Sequence, residues 1–126
     1  MNDAKLEQKL EGLRKLITDW ATERNVWDEG SNFSDWFTQF SAEPEETPCV
    51  QVLTYEGELY NVMNGRHPLQ DEFCSLFEGS GFHLEFWNHY TAVFYSDDDA
   101  YDSYFKDYME WKWICLLYTS PSPRDS

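Results

Sequence analysis

The spacing of apolar residues changes along this chain, and that change most constrains what the chain can fold into. Before residue 21, apolar side chains recur at steps of three and four, which predicts an amphipathic helix that begins near Asn2 or Asp3. From Cys49 onward the period becomes two, as it does in strands. A chain with both periods must combine helices with a sheet. The apolar residues of the helix are Leu6, Leu10, Leu13, Ile17 and Trp20.

Two hairpins are predicted in the part of the chain that has the shorter period. The first joins residues 50–55 to residues 59–63 through a loop that contains Gly57. The second covers residues 82–95 and turns at Asn88-His89. Because this second hairpin is apolar on both faces, we expect it to lie centrally in the sheet, or to meet a partner or the missing C-terminal part of the protein.

Two further helices are predicted beside these hairpins. One begins next to Pro68, follows the apolar pattern around Phe73 and is capped by Gly79. The other follows a cap at Ser96 or Asp97. Its side chains are mostly aromatic, and they are Tyr101, Tyr104, Phe105, Tyr108, Trp111 and Trp113.

The segment between the first helix and Cys49 has no long periodic pattern. Residues 25–32 are typical of a loop, residues 36–40 of a brief helix, and residues 41–48 of an exposed connection. The element order is therefore helix, short helix, then strand-strand-helix twice. The simplest packing is an α+β fold with a four-stranded antiparallel sheet and helices on one face.

The final twelve residues, Cys115 to Ser126, resemble a translated sequencing adapter. Cys115 through Asp125 match one reading frame of a transposase mosaic end and its primer extension, residue for residue. Such segments are excluded from fold reasoning. We therefore expect residues 1–114 to form a single small α+β domain, truncated at its C-terminal end, and residues 115–126 to be a non-native tail.

The charge balance restricts the classes of partner. The formal net charge is -15, and the acidic residues are spread over the whole chain. Phosphate backbones are bound by basic patches, so direct binding of nucleic acid is not expected. An acidic surface instead suits a basic protein partner, or imitation of nucleic acid. The high aromatic content indicates a packed core rather than a disordered acidic chain.

The cysteines and the apolar runs bear on location. No run approaches the roughly 18 apolar residues that a membrane span requires. The N-terminus is charged and does not resemble a signal peptide. Without the tail, only Cys49 and Cys74 remain, and they form no tight pair, which predicts a reducing, cytoplasmic setting.

Two acidic motifs were candidates for metal chemistry. Asp97-Asp98-Asp99 with Asp102 lacks the glycine and glutamate of a calcium loop, so helix capping is the favoured explanation. Glu110-Trp111-Lys112 matches the Glu-x-Lys tripeptide of some metal-dependent nucleases. That tripeptide normally lies on a strand, whereas here the pattern is helical. No catalytic residue follows from either motif.

The histidines and cysteines suffice in number for a zinc site, but none has zinc-ligand spacing. Surface or half-buried histidines are the favoured interpretation, although His83 and His89 flank a hairpin and could approach each other. Cys74 is expected to be a small core residue. We assign no catalytic, cofactor-binding or metal-binding residue. The full set is His67, His83, His89, Cys49 and Cys74.

Three stretches, residues 53–60, 85–95 and 104–114, together resemble the N-terminal region of bacterial Mrr-like restriction endonucleases. The resemblance implies that this chain is an accessory domain, regulatory or interacting, of a larger nuclease. The nuclease domain and its Mg²⁺ site would lie beyond Ile114, so no catalytic residue or cofactor is carried over. Its partners would be other domains of the same chain or a separate protein.

A second hypothesis comes from the charge alone. A stand-alone acidic inhibitor, either an immunity protein or a DNA mimic, would bind a basic protein. A generic interaction module unrelated to DNA is a third. The sequence leaves the oligomeric state and the partner open in all three cases.

Overall fold

A computed structural model describes residues 3–35, 39, 49–65 and 68–119. These residues form four helices and a four-stranded antiparallel sheet, which confirms the α+β class. The helices are α1 (Asp3–Glu23), α2 (Gly57–Met63), α3 (Gln70–Ser75) and α4 (Asp99–Thr119). The strands are β1 (Asn32–Ser34), β2 (Gln51–Thr54), β3 (Phe82–Asn88) and β4 (Thr91–Ser96).

The sheet has the strand order β1-β2-β4-β3, and every neighbouring pair is antiparallel. The central strands β2 and β4 are almost entirely buried, and Val52 faces Val93 in their register. The β3–β4 pairing shifts between Phe86 and Asn88, so Trp87 is the extra residue of a bulge. The edges of the sheet are therefore β1, which is short, and β3, which is long.

One face of this sheet contacts α1, α4 and the turn after α3, and the helical residue Gln39 contacts the opposite face, where its side chain lies 3.5 Å from that of Thr54. Alternate residues of a strand share a face, and register partners across strands do so too. Gln51 and Phe94 are register partners, and Phe82 is on their face because Leu84 pairs with Phe94. The contacts are Arg14 of α1 to Gln51, Tyr101 of α4 to Phe82, and Phe77, in the turn after α3, to Phe94.

The amphipathic pattern at the start of the chain forms α1, as predicted. All five apolar residues that defined the stripe are buried. Trp20 lies near the C-terminal end of α1, and its ring contacts the ring of Phe73 in α3 with a centroid distance of 5.3 Å. Burial of this stripe against the sheet and α3 provides the stability that an isolated helix lacks.

The predicted second strand of the first hairpin, residues 59–63, is wrong, because these residues form α2. Leu59, Val62 and Met63 are its buried residues, and their spacing of three and four is helical. Gly57 has a φ of +62°, which turns the chain away from the extended course of β2. A run of five residues is too short to distinguish a helical period from a strand period, because both periods place an apolar residue at each end of the run.

The strand that replaces it in the sheet is β1, which sequence analysis did not identify. β1 pairs with β2 so that Phe33 faces Leu53. Its three residues carry one aromatic side chain between two polar ones, which is too short a signal for a strand. The strand-strand-helix unit is therefore not repeated. The predicted helix at 36–40 and connection at 41–48 lie outside the described residues, apart from Gln39, which is helical.

Three predicted boundaries are shifted. The α3 helix ends at Ser75, and Gly79 lies in the turns that follow it rather than at its cap. The second hairpin is confirmed, with its turn at His89-Tyr90. The cap of α4 is Asp98, because its Oδ1 accepts hydrogen bonds from two backbone N–H groups of the first turn.

The last helix extends past Ile114 to Thr119, so it includes five residues of the expected tail. Within the described part of the chain, no helix combines the length and the apolar character that a membrane crossing requires.

Candidate functional site

The exposed edge of the sheet is the first element of the candidate site. Among the described residues, β3 pairs with β4 alone, so its other edge carries backbone N–H and C=O groups without strand partners there. It is seven residues long, compared with three for β1 at the opposite edge. Most of its side chains are exposed. A long open edge of this kind is a template for pairing with another strand.

Aromatic side chains are concentrated at the end of this edge. Phe86 is 44% exposed, Trp87 54% and Tyr90 52%, and we call these three residues the hairpin aromatics. The bulge at Trp87 and the turn position of Tyr90 explain why these rings leave the core. Large apolar side chains grouped at a surface indicate an interaction site more often than single exposed ones do.

The turn that carries the hairpin aromatics is held by hydrogen bonds that involve Tyr55, Asn64 and Asn88. Tyr55 donates its backbone N–H to the carbonyl of Tyr90 at 3.0 Å and its hydroxyl to the carbonyl of Asn88 at 3.3 Å. Asn64 donates its amide to the carbonyl of His89 at 2.8 Å. The side-chain oxygen of Asn88 accepts the N–H of Tyr90 at 3.0 Å. The surface is therefore organised before any partner arrives, which reduces the entropic cost of binding.

The acidic cluster at the start of α4 has a structural explanation. Asp98 caps the helix, and Asp97 lies 2.6 Å from Nδ1 of His83. Burial, with the neighbouring Asp99 next in importance, raises the pKa of Asp102. Among the described residues, no three histidine, cysteine or acidic side chains form a group that could hold a metal ion.

The two histidines that could approach each other according to the sequence are far apart in the structure. His83 and His89 lie at opposite ends of β3, about 20 Å apart at the rise of a strand. His83 bonds Asp97, while Nδ1 of His89 lies 3.3 Å from the side-chain oxygen of Asn64. His67 is outside the described residues. The two described histidines, His83 and His89, therefore do not form a pair that could hold a ligand.

The two cysteines differ in environment. Cys49 is buried, and loss of solvation raises the pKa of its thiol to about 12, so it remains protonated. Cys74 is exposed, so the expectation of a core residue is wrong. It lies on the outward side of α3, whereas Phe73 beside it points inward. Partial burial and then Asp71 raise the pKa of Cys74, which disfavours a nucleophilic thiolate.

The Glu-x-Lys tripeptide lies on α4 rather than on a strand. Glu110 pairs with Lys106 one turn earlier, at 3.7 Å, and the side chain of Lys112 is outside the described residues. This location agrees with the helical pattern in the sequence.

Sequence analysis missed the edge position of β3, although the two-faced apolar pattern of the second hairpin already pointed to a partner.

Comparison of the chain with protein-family models, with curated protein sequences and with solved structures gave no match.

Proposed function

We propose that this chain is a non-catalytic protein-interaction domain that binds an extended, basic segment of a partner protein along β3. The observation that carries the proposal is the open seven-residue edge ending in the hairpin aromatics. An added strand would bond the backbone of β3 along the edge that faces away from β4, and its side chains would pack beside Phe86 and Trp87. Aromatic residues are enriched at protein interfaces for this reason.

Charge selects the partner. The net charge of -15 produces a negative potential around the domain, which attracts basic segments and repels acidic ones. Glu85 is exposed on β3 itself, so a lysine or arginine on the added strand has a carboxylate nearby. The same charge disfavours contact with a phosphate backbone.

The setting we favour is an accessory domain of a larger Mrr-like restriction endonuclease. The support for this setting is the resemblance of residues 53–60, 85–95 and 104–114, and the second of these stretches contains most of the proposed binding strand. The basic segment would then belong to another part of the nuclease. The described residues offer no carboxylate cluster for Mg²⁺, so the metal of such a nuclease would be held by its catalytic domain.

A stand-alone inhibitor is the alternative, and the observation that favours it is the charge. An acidic domain that covers the basic surface of a toxin or a DNA-binding protein would use the same strand and the same potential. The two settings differ in whether the partner is part of the same chain.

We expect a seven-residue basic peptide of alternating lysine and valine to shift the backbone amide resonances of residues 82–88 in an NMR titration. An acidic peptide of alternating glutamate and valine should not bind. Raising the salt concentration should weaken binding of the basic peptide, because salt screens the attraction between exposed charges. The double variant Phe86→Lys, Trp87→Lys adds charges like those that natural edge strands use against pairing, and should weaken binding at least about tenfold.

The matched control is the double variant Trp111→Lys, Ile114→Lys, which places the same two charges on exposed apolar positions of α4. We expect it to bind the basic peptide as the parent does, and circular dichroism should show that all variants are folded. Shifts that map away from β3, or equal binding by the double variant and the parent, would show that this strand is not the binding surface.

Long-read sequencing of the gene past codon 114, without adapter ligation at that point, tests the setting. We expect the frame to continue into a nuclease domain. A stop codon shortly after codon 114 would contradict the nuclease setting and leave the inhibitor, whereas the role of β3 would be unaffected.

A further inference from the structure

A cavity of about 400 Å³ lies beside β3, between this strand and the turns that follow α3. Among the described residues that line it, three belong to β3 and none to β4. The cavity therefore lies over the edge strand rather than over the centre of the sheet. The three residues of β3 are Phe82, Leu84 and Phe86.

These three side chains share one face of the sheet, because alternate residues of a strand do so. Leu84 pairs with Phe94, and the ring of Phe94 contacts that of Phe77 with 5.1 Å between the centroids. Phe77 itself lines the cavity. The strand thus forms one wall of the cavity, and the turn after α3 forms the other.

The wall after α3 is held in position by its own contacts. The ring of Phe77 packs edge-on against that of Phe73 with 5.2 Å between the centroids. The carbonyl of Phe77 accepts hydrogen bonds from the backbone N–H of Ser80 at 3.0 Å and from its hydroxyl at 2.7 Å. The carbonyl of Gly81 accepts the N–H of Asp97 at 2.8 Å, which ties the turn to the end of β4. The cavity is therefore formed before a ligand arrives, which lowers the entropic cost of filling it.

The lining favours an apolar occupant. Most of its side chains are aromatic or aliphatic, and the thiol of Cys74 is only weakly polar. Nδ1 of His83 lies 2.6 Å from Oδ1 of Asp97, so these two polar side chains are partners of each other. Glu78 is exposed, and its carboxylate faces water. An apolar side chain that enters removes ring surface from water, whereas a hydroxyl group there gives up its hydrogen bonds to water.

A strand added to β3 would bring its own side chains to this cavity. Neighbouring strands lie about 4.8 Å apart, and side chains that face each other across two strands have Cβ atoms about 5 Å apart. Residues of the added strand beside Leu84 therefore project over the cavity. The residues that alternate with them project beside Glu85, which is on the opposite face of β3.

We infer that the partner strand carries a large apolar residue, such as leucine, on the face that meets the cavity, and its basic residues on the other face. This inference rests on the proposed binding to β3 and names the side chain that the site selects. Glu85 attracts the basic face, whereas Leu84 and the surrounding rings receive the apolar residue. A volume of about 400 Å³ is at the small end of ligand pockets, which suits one side chain.

The test compares two seven-residue peptides in NMR titrations of the full chain. The first alternates lysine and threonine, and the second has leucine in place of the central threonine. We expect both peptides to shift the backbone amide resonances of residues 82–88. The leucine peptide should also shift those of residues 74–79, and it should bind about tenfold more tightly because its leucine is buried in the cavity.

A variant that fills the cavity locates the leucine. Cys74 is exposed and lines the cavity, so Cys74→Trp occupies the space from its rim. We expect this variant to bind the two peptides within about twofold of each other, with the affinity of the threonine peptide unchanged. Cys74→Ser is the matched control, since it keeps the size of the side chain, and it should retain the preference for leucine. Circular dichroism should show that both variants are folded.

Equal binding of the two peptides by the parent, or an unchanged preference for leucine in Cys74→Trp, would overturn the inference while leaving strand addition intact. A dimer of the chain alone that is lost in Cys74→Trp would show that a second copy fills the cavity instead. If neither peptide shifted residues 82–88, binding to β3 itself would fail, and the inference would fail with it.

Discussion

Replacement of Phe73 by alanine is expected to lower the free energy of unfolding by about 3–5 kcal/mol. Phe73 is fully buried, and its ring contacts two others, Trp20 at 5.3 Å and Phe77 at 5.2 Å between centroids. Phe77 in turn contacts Phe94 of β4 at 5.1 Å. These rings connect α1 to the sheet through α3, so alanine leaves a cavity that neither side can fill.

Urea unfolding followed by circular dichroism measures this loss, and Phe86→Ala is the matched control. The same side chain is removed there, but Phe86 is 44% exposed, and we expect a loss below about 1 kcal/mol. Similar losses for the two variants would contradict the packing of α3 between α1 and the sheet.

Secondary structure was predicted most accurately where one spacing of apolar residues extends over several helical turns. The apolar stripe from Leu6 to Trp20 repeats often enough to determine both the helix and its buried side. The hairpin of β3 and β4 is similarly long. Residues 59–63 contain only Leu59, Val62 and Met63 as buried positions, and the choice between helix and strand there was made by tertiary packing.

The candidate site was only partly visible in the sequence. Apolar residues on both faces of the second hairpin indicated a partner or a central strand, and strand order decides between these. That order depends on β2 pairing with β4 rather than with β3, which is a contact between distant segments that no local pattern reveals.

Replacement of Gly57 by alanine is expected to destabilise the protein by about 2–3 kcal/mol, for two separable reasons. The φ of +62° is unfavourable for any residue with a Cβ atom. That Cβ would also lie 2.1 Å from Oδ2 of Asp28, whose other oxygen accepts the N–H of Gly30 at 2.7 Å. The carboxylate would have to move, and the loop before β1 would lose this hydrogen bond.

Gly12→Ala is the opposite case and serves as the control. Gly12 is an exposed interior residue of α1 with no atom within 4 Å of an added Cβ, so alanine should stabilise the protein by about 0.5–1 kcal/mol. Urea midpoints should therefore move in opposite directions for the two variants. Adding Asp28→Ala to Gly57→Ala separates the two causes, because it removes the carboxylate, which makes the two shortest contacts, and leaves the backbone strain. If the double variant were destabilised by the sum of its single changes, contact with Asp28 would not contribute, and the turn that starts α2 would be limited by backbone conformation alone.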